Sequence, residues 1–169
     1  FNIEAAEDVL QCDEDWTEDV LERLLDHSLL YVREEASGSR FYLYESVRAF
    51  CVPRVQDGGF APAFNARYVA YFERFASTLH GTLRSGTEPS IFDRAQTQLL
   101  VDEDNFWQVF DQTHTHPNST TGIIALILTY TSRLHRRAND ISDCLNAAAA
   151  KSTHPLRAEL QYTRWSVAT

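Results

Sequence analysis

The N-terminal residues repeat apolar side chains at the three- and four-residue spacing of a helix. These apolar positions are Ile3, Ala6, Val9 and Leu10. Asn2 stands just before them, and asparagine is a favoured N-cap because its side-chain oxygen accepts a hydrogen bond from a free backbone N–H of the first turn. The pattern therefore predicts a first helix over residues 3–10.

A second helical pattern follows and is then replaced by strand-forming runs. Asp15 and Glu18 have the spacing of a capping box, and the apolar positions behind them predict a helix over residues 15–27. Between Leu29 and Tyr44, short runs of aromatic and branched side chains lie on both sides of a Gly-Ser turn. This arrangement is typical of a β-hairpin.

A third helical segment completes an arrangement known from one fold. It opens at Glu45 and contains Pro53, where we expect an interruption or a kink because proline cannot donate a backbone hydrogen bond. Helix, helix, hairpin and helix in this order are the elements of a winged helix that lacks its first helix. Gly58 and Gly59 are typical of a boundary, so we predict a winged-helix-like domain over residues 1–58.

The remainder of the chain has helical spacing only. An aromatic stripe predicts a long helix that faces the hydrophobic core, and its members are Phe64, Tyr68, Tyr71, Phe72, Phe75 and Leu79. The pattern then predicts a loop and four helices, over residues 81–89, 90–113, 123–137, 141–151 and 155–168. Short loops favour antiparallel neighbours. The predicted fold class is mostly α, with a partial winged helix followed by an antiparallel α-helical arm over residues 62–169.

Composition narrows the class of protein. The chain has 169 residues, of which 44% are hydrophobic, and no apolar run approaches the roughly 18 residues of a membrane-spanning helix. We therefore expect no membrane contact. The three cysteines are odd in number and widely spaced, which favours a reducing compartment and a cytoplasmic location. The sequence has no methionine and opens inside a helical pattern, which suggests a fragment of a longer protein.

The negative charge is concentrated near the N-terminus. Residues 1–50 contain 13 of the 24 acidic residues and four of the 15 basic residues, so this segment has the same net charge as the whole chain, −9. The helix in the position of a recognition helix has the charged residues Glu18, Asp19, Glu22, Arg23 and Asp26. Because neutralisation of phosphates supplies most of the affinity for DNA, we expect no direct DNA contact from this segment.

The sequence contains no motif typical of catalysis. A P-loop ends in Gly-Lys-Ser or Gly-Lys-Thr, whereas the only lysine, Lys151, follows four alanines. We therefore predict no catalytic residue and no cofactor in this chain. His114 and His116 lie near Asp111 in a polar loop, but zinc sites usually have four ligands at characteristic spacing, so we predict no metal site.

Four sequence segments occur in an order found in one protein family. They are FNIEAAEDVL, VLERLLDHSLL, RFYLYESVRAF and DEDNFWQVF. Over residues 1–112 the chain resembles bacterial STAND signal-transduction ATPases, the AfsR-like and maltose-regulator-like relatives of NB-ARC proteins. The resemblance implies a winged helix that follows a nucleotide-binding core and precedes a tetratricopeptide-like (TPR-like) arm in a multidomain transcription regulator.

The resemblance also implies candidate contact residues. In NB-ARC relatives, a Met-His-Asp motif at the end of the second wing strand brings its histidine to the phosphate of the bound nucleotide. The motif corresponds here to Leu43, Tyr44 and Glu45, and Arg48 matches the arginine that follows it. By this match, Tyr44, Glu45 and Arg48 are candidate nucleotide-sensor or interdomain contacts, while ATP or ADP would be bound by the parent protein. The tyrosine departs from the motif, because its hydroxyl can donate one hydrogen bond but cannot carry the charge of an imidazolium.

We favour a non-catalytic regulatory segment that couples an upstream nucleotide-binding domain to a helical sensor arm, which would bind a protein partner or a small effector. Two alternatives stay open. One is a stand-alone helical adaptor that binds a protein partner through residues 62–169, and the other is a DNA-binding winged helix. A P-loop encoded upstream would favour the first hypothesis, whereas an initiator methionine a few residues upstream would favour the adaptor.

Overall fold

The computed structural model describes residues 1–11, 14–35, 37–59, 61–85, 88–131 and 137–151. The helices are α1 (Ile3–Leu10), α2 (Glu14–Asp26), α3 (Glu45–Asp57), α4 (Ala61–Arg84), α5 (Pro89–Val101), α6 (Glu103–Thr113), α7 (Ser119–Leu128) and α8 (Ala138–Lys151). Strands β1 (Leu30–Glu35) and β2 (Gly38–Leu43) form an antiparallel hairpin. These elements confirm the predicted mostly α fold class, in which a partial winged helix precedes a helical array.

The chain divides into two compact units, Phe1–Tyr71 and Phe72–Thr169. The division falls inside α4, so residues of this helix belong to both units. The domain boundary that we predicted between residues 58 and 62 lies at the beginning of α4 and stays a prediction. The helix predicted over residues 155–168 lies outside the described residues.

Helix α1 has the predicted bounds and the predicted N-cap. The Asn2 side chain accepts a hydrogen bond from the backbone N–H of Ala5 at 2.9 Å. At the other end, Gln11 adopts a left-handed backbone conformation, and its N–H donates to the Glu7 carbonyl. Local hydrogen bonds thus satisfy a backbone group at each end of the helix, which explains why the sequence pattern located both ends.

Helix α2 packs against α1 and β1. The side chains that it buries include Thr17 and Leu21, which lie one turn apart on the same face. The helix begins and ends one residue earlier than predicted. The side chain of Asp15, the first member of the predicted capping box, lies outside the described residues.

The hairpin forms where the sequence predicts it, and Phe1 extends the sheet. The Phe1 ammonium donates to the Phe41 carbonyl at 3.1 Å, and the Phe41 N–H donates to the Phe1 carbonyl at 2.8 Å. The two phenylalanine rings are stacked, with 5.7 Å between their centroids. Gly38 begins β2 with a φ of 108°, a left-handed conformation that glycine adopts without steric cost.

Helix α3 is continuous through Pro53, so the expected interruption does not occur. None of its residues is buried, and its exposed apolar side chains include Phe50, Val52 and Val55. Proline removes one backbone hydrogen bond from a helix interior. On a helix this exposed, water can bond to the carbonyl that loses its partner.

Helix α4 is longer than the sequence pattern predicts. It includes Gly81 and ends at Arg84, so the predicted loop over residues 81–89 is wrong at its first four positions, and also at Pro89, where α5 begins. Leu83 in this last turn is buried. Burying an apolar side chain favours the additional helical turn over an exposed loop.

Aromatic side chains from α4 and α6 form part of the core of the second unit. Phe72 and Leu79 of the predicted stripe are buried, as expected, and Phe75 is half-buried. The rings of Phe72 and Phe75 lie 5.5 and 5.6 Å from the Phe106 ring, measured between centroids. Most residues of α7 are buried, and α7 packs against α6 and α8. Among the described helices, none is long and apolar enough to cross a membrane.

The single helix predicted over residues 90–113 is wrong, because two helices occupy this region. Helix α5 ends at Val101 and α6 begins at Glu103, with Asp102 at the junction. Asp102 is buried, and its carboxylate accepts a hydrogen bond from the Asn105 side-chain amide at 2.8 Å. Burying a carboxylate is costly unless it is hydrogen-bonded. The Asn105 amide supplies this hydrogen bond where the two helices meet.

Arg137 connects α6 to the first turn of α8. Its guanidinium lies 2.5 Å from the Asp111 carboxylate and 3.0 Å from the Asp140 carboxylate. The same group lies over the Trp107 ring, 4.9 Å from its centroid. It also lies 5.3 Å from the centroid of the Phe110 ring, so one side chain makes two ion pairs and two cation–π contacts within the second unit.

We expect Arg137→Met to lower the free energy of unfolding by about 1–2 kcal/mol, because each of these partly exposed contacts contributes up to about 1 kcal/mol. Urea denaturation of the two proteins measures the difference. The control is Arg94→Met, at an exposed position of α5, which should change stability by less than about 0.5 kcal/mol. Equal losses in the two variants would contradict the role assigned to Arg137.

Candidate interaction site on the wing

The exposed face of α2 is acidic. Its exposed charged residues are Glu18, Asp19, Glu22, Arg23 and Asp26. Trp16 on the same helix is 51% exposed. In a winged helix, the helix before the hairpin is the one that would enter the DNA major groove. Here its carboxylates would face the phosphates, which is unfavourable.

The hairpin, or wing, carries a cluster of tyrosine rings. The Tyr31 ring lies 5.3 Å from the Tyr42 ring and 5.0 Å from the Tyr44 ring, measured between centroids. The register places Tyr31 directly opposite Tyr42, and Tyr44 follows β2. The Arg33 guanidinium lies over the Tyr31 and Tyr42 rings at 5.2 and 5.4 Å. Tyr31, Tyr42, Tyr44 and Arg33 form what we call the wing cluster.

A hydrogen bond to a carboxylate helps to fix one ring of the wing cluster. The Tyr42 hydroxyl donates to Glu35 at the end of β1. This hydrogen bond, together with partial burial and the negative charge of Glu35, raises the pKa of the Tyr42 phenol above its ordinary value. Tyr42 therefore remains a neutral hydrogen-bond donor at neutral pH.

An open depression with a volume of about 500 Å³ lies beside the wing cluster. Its walls are formed by Tyr31, Arg33, Leu43, Tyr44 and Glu45. The lining combines aromatic rings, one cation and one carboxylate. Such a lining suits an amphipathic group of another protein, with its apolar part against the rings and its polar part at the charges.

Two of the three predicted contact residues line this depression. Tyr44 and Glu45 are exposed there, at the junction of β2 and α3. Arg48 is also exposed, on the first turn of α3, where its N–H donates to the Tyr44 carbonyl at 2.9 Å. The Arg48 side chain is not part of the lining. The roles of these residues in binding stay predictions.

Sequence reasoning missed Tyr31 and Arg33, which also line the depression. Alternation along β1 places both side chains on one face of the strand. The register then adds Tyr42 to that face. The available signal was the alternation itself, combined with the position of the turn, which determines the register of a hairpin.

Among the described residues, no group of three or more histidine, cysteine, aspartate or glutamate side chains is arranged to hold a metal ion. The His114 ring nitrogen makes a hydrogen-bond contact with the Phe110 carbonyl at 3.0 Å, and its ring stacks on Phe110. Cys144 is buried, and this burial raises the pKa of its thiol to about 11. The thiol is therefore protonated at neutral pH, and a protonated thiol is a poor nucleophile.

Comparison with known families supports the assignment of the N-terminal segment. Residues 1–56 match a family model described as a winged helix-turn-helix domain. This range covers α1, α2, the hairpin and nearly all of α3. No curated protein and no solved structure matches the chain. A winged helix-turn-helix segment indicates a regulatory or DNA-binding role for this part of the chain.

Proposed function

We propose that this chain is a non-catalytic regulatory segment of a multidomain signalling ATPase or transcription regulator of the NB-ARC-related class. In this proposal the winged helix contacts a nucleotide-binding domain through the wing and the start of α3, with Tyr44, Glu45 and Arg48 at the contact. The helical array acts as the sensor arm, with a TPR-like arrangement. The nucleotide, ATP or ADP, is bound by the partner domain.

The observation that carries the proposal is the acidic exposed face of α2. Its four carboxylates are opposed by Arg23 alone among the charged residues of the face. A protein that binds DNA gains affinity by releasing counterions from phosphates, which requires basic side chains at the contact. A winged helix with this surface is better suited to binding protein than to binding DNA.

The wing supports the same conclusion. Tyrosine and arginine are enriched at the centres of protein interfaces, where their large side chains combine apolar contact with hydrogen bonding. The wing cluster places three tyrosine rings and one guanidinium beside an open depression. Exposed apolar side chains of α3, Phe50 among them, extend the area that a partner domain could cover.

The first test measures binding to duplex DNA. Non-specific binding by DNA-binding proteins has a Kd of about 10⁻⁴ to 10⁻⁶ M at physiological salt. For this chain we expect a Kd weaker than about 10⁻⁴ M, measured by fluorescence anisotropy of a labelled duplex. Tighter binding that falls steeply as salt is raised would identify a DNA-binding winged helix and overturn the proposal.

The second test changes the proposed contact in the natural full-length protein. We expect Arg48→Ala to shift the ratio of bound ADP to bound ATP by about tenfold or more, because a hydrogen bond to a charged group contributes about 1.5 kcal/mol or somewhat more. Nucleotide extraction followed by chromatography measures the ratio. Arg94→Ala, on α5, is the control and should leave the ratio unchanged. Unchanged nucleotide occupancy and activation in Arg48→Ala would overturn the proposed contact.

A further inference from the structure

The hydrogen bonds of Phe1 establish which edge of the wing is open. Phe41 uses both its N–H and its carbonyl to bond Phe1, so these groups point away from β1. In an antiparallel pair, residues that lie opposite each other alternate between hydrogen-bonded and non-hydrogen-bonded pairs. Phe41 is opposite Val32, so this pair is non-hydrogen-bonded. The N–H and carbonyl of Val32 therefore point outward, away from β2.

The same alternation applies two residues further along β1. Glu34 lies opposite Ser39, and its backbone groups also point outward. Among the described residues, no hydrogen bond is made to the outward backbone groups of Val32 or Glu34. Val32 is 39% exposed, and Glu34 is exposed. This outer edge of β1, which we call the β1 edge, therefore presents two pairs of backbone groups that no described residue satisfies.

The side chains beside the β1 edge have a defined charge order. Val32 is apolar, Arg33 is basic and Glu34 is acidic. Within the part of the chain that is described, no carboxylate forms an ion pair with the Arg33 guanidinium, which lies over tyrosine rings instead. Tyr31 and Arg33 also form one wall of the 500 Å³ depression. A strand added at this edge would meet an apolar, a basic and an acidic position in succession.

We propose that the β1 edge binds an extended segment of the partner protein as an additional antiparallel strand. From its N-terminus, this segment carries a basic residue opposite Glu34 and an acidic residue opposite Arg33. Two apolar residues follow, opposite Val32 and Tyr31. Backbone hydrogen bonds to Val32 and Glu34 supply the affinity, and the paired side chains supply the specificity, as in other cases of strand addition. The inference rests on the proposed function in one respect, that a partner docks on the wing.

A second copy of this chain fits the β1 edge less well. Antiparallel self-pairing must place outward-pointing residues opposite one another, which limits the registers. In one such register, Arg33 lies opposite an acidic residue, Glu35 of the second copy. The same register places Glu34 opposite Glu34 of the second copy. Like charges directly opposite each other are destabilising. Charge complementarity therefore favours a different segment as the occupant.

The test uses the 169-residue chain and a synthetic peptide. The probe is the acetylated and amidated hexapeptide Thr-Lys-Glu-Val-Leu-Thr, which follows the proposed order of charges. We expect its addition to shift the NMR signals of the Val32 and Glu34 amides and to slow their hydrogen exchange. The same peptide with an N-methyl group on its valine should not bind, because the methyl group removes the hydrogen bond to Val32.

Exchanging charges on both partners separates strand pairing from general attraction. We expect the peptide Thr-Glu-Lys-Val-Leu-Thr to bind about fivefold to tenfold more weakly, since it places like charges opposite Arg33 and Glu34. The double variant Arg33→Glu/Glu34→Arg should reverse this preference. The matched control, Glu22→Arg/Arg23→Glu, exchanges an adjacent pair of exposed charges on α2 and should leave the preference unchanged.

Three results of the peptide experiments would overturn the inference even if the peptide binds or the amide signals shift. They are equal binding of the N-methylated peptide, signal changes confined to residues outside β1, and shifts of the Val32 and Glu34 amides that depend on protein concentration without peptide. The last result would identify a second copy as the occupant. Failure of the peptide together with an effect of Arg48→Ala in the full-length protein would overturn this inference alone. Binding of the peptide together with no effect of Arg48→Ala would overturn the proposed function alone.

Discussion

Replacing Phe106 with alanine is expected to lower the free energy of unfolding of the second unit by about 3–5 kcal/mol, the range for removing a fully buried phenylalanine. Phe106 on α6 is 0% exposed. Its ring is packed by Phe72 and Phe75 of α4, with centroids 5.5 and 5.6 Å away. The Phe72 contact is edge to face, at an interplanar angle of 87°, which is a favoured arrangement of two aromatic rings. Alanine would leave a cavity and remove both ring contacts.

Hydrogen exchange of the backbone amides of α6 and α7 measures this loss where it occurs. At about 1.4 kcal/mol for each factor of ten, the slowest amides of these helices should exchange at least about 100-fold faster in Phe106→Ala. The control is Leu100→Ala on α5, where the side chain is 47% exposed, and it should accelerate exchange only slightly. A small effect of Phe106→Ala would mean that neighbouring side chains collapse into the space, contrary to the importance assigned to the ring contacts of Phe72 and Phe75 with Phe106.

Elements that depend on local interactions were predicted best. The bounds and cap of α1 followed from Asn2 and the apolar spacing, because the cap hydrogen bond joins residues three apart in the chain. The junction at Asp102 was missed for the opposite reason. The residue becomes buried only through tertiary packing, and no local pattern distinguishes it from an exposed acidic residue on a helix. Leu83 similarly extends α4 because it becomes buried.

The candidate site was predicted in part. The motif position identified Tyr44 and Glu45, which the structure places beside one depression. It did not identify Tyr31 and Arg33, because these come from the other strand of the hairpin and join the site through the register. A contact between two rings that lie more than ten residues apart in the sequence can be predicted only when the turn and the strand pairing are known. Cross-strand contacts of this kind are difficult to infer from spacing in one sequence.

The acidic face of α2 and the open β1 edge are compatible on the same winged helix. The carboxylates of α2 oppose binding of a polyanion, while the β1 edge offers neutral backbone groups beside the Arg33 guanidinium and the Glu34 carboxylate. Backbone pairing depends little on the net charge of the partner. This combination is unfavourable for a polyanion and compatible with the extended protein segment that we propose as the ligand.

The folding of the winged helix itself depends on Leu21, and Leu21→Ala is expected to lower the free energy of unfolding of the first unit by about 2–5 kcal/mol. Leu21 is 6% exposed on α2, the helix that packs against both α1 and β1. Removing its buried side chain leaves a cavity in the first unit, beside the helix that contacts both α1 and β1. Hydrogen exchange of the α1 and hairpin amides should accelerate at least about 30-fold, from the tenfold change per 1.4 kcal/mol.

The matched control for this prediction is Leu29→Ala, which removes the same atoms from a side chain that is 37% exposed just before β1. A more exposed leucine loses less contact on truncation, so the change should be less than about 1 kcal/mol. Equal destabilisation by the two variants would contradict the view that the α2 face carrying Leu21 is the core of the winged helix. If that view holds, Leu21→Ala should also weaken binding of the hexapeptide at the β1 edge, because the strand edge exists only while α2 supports the hairpin.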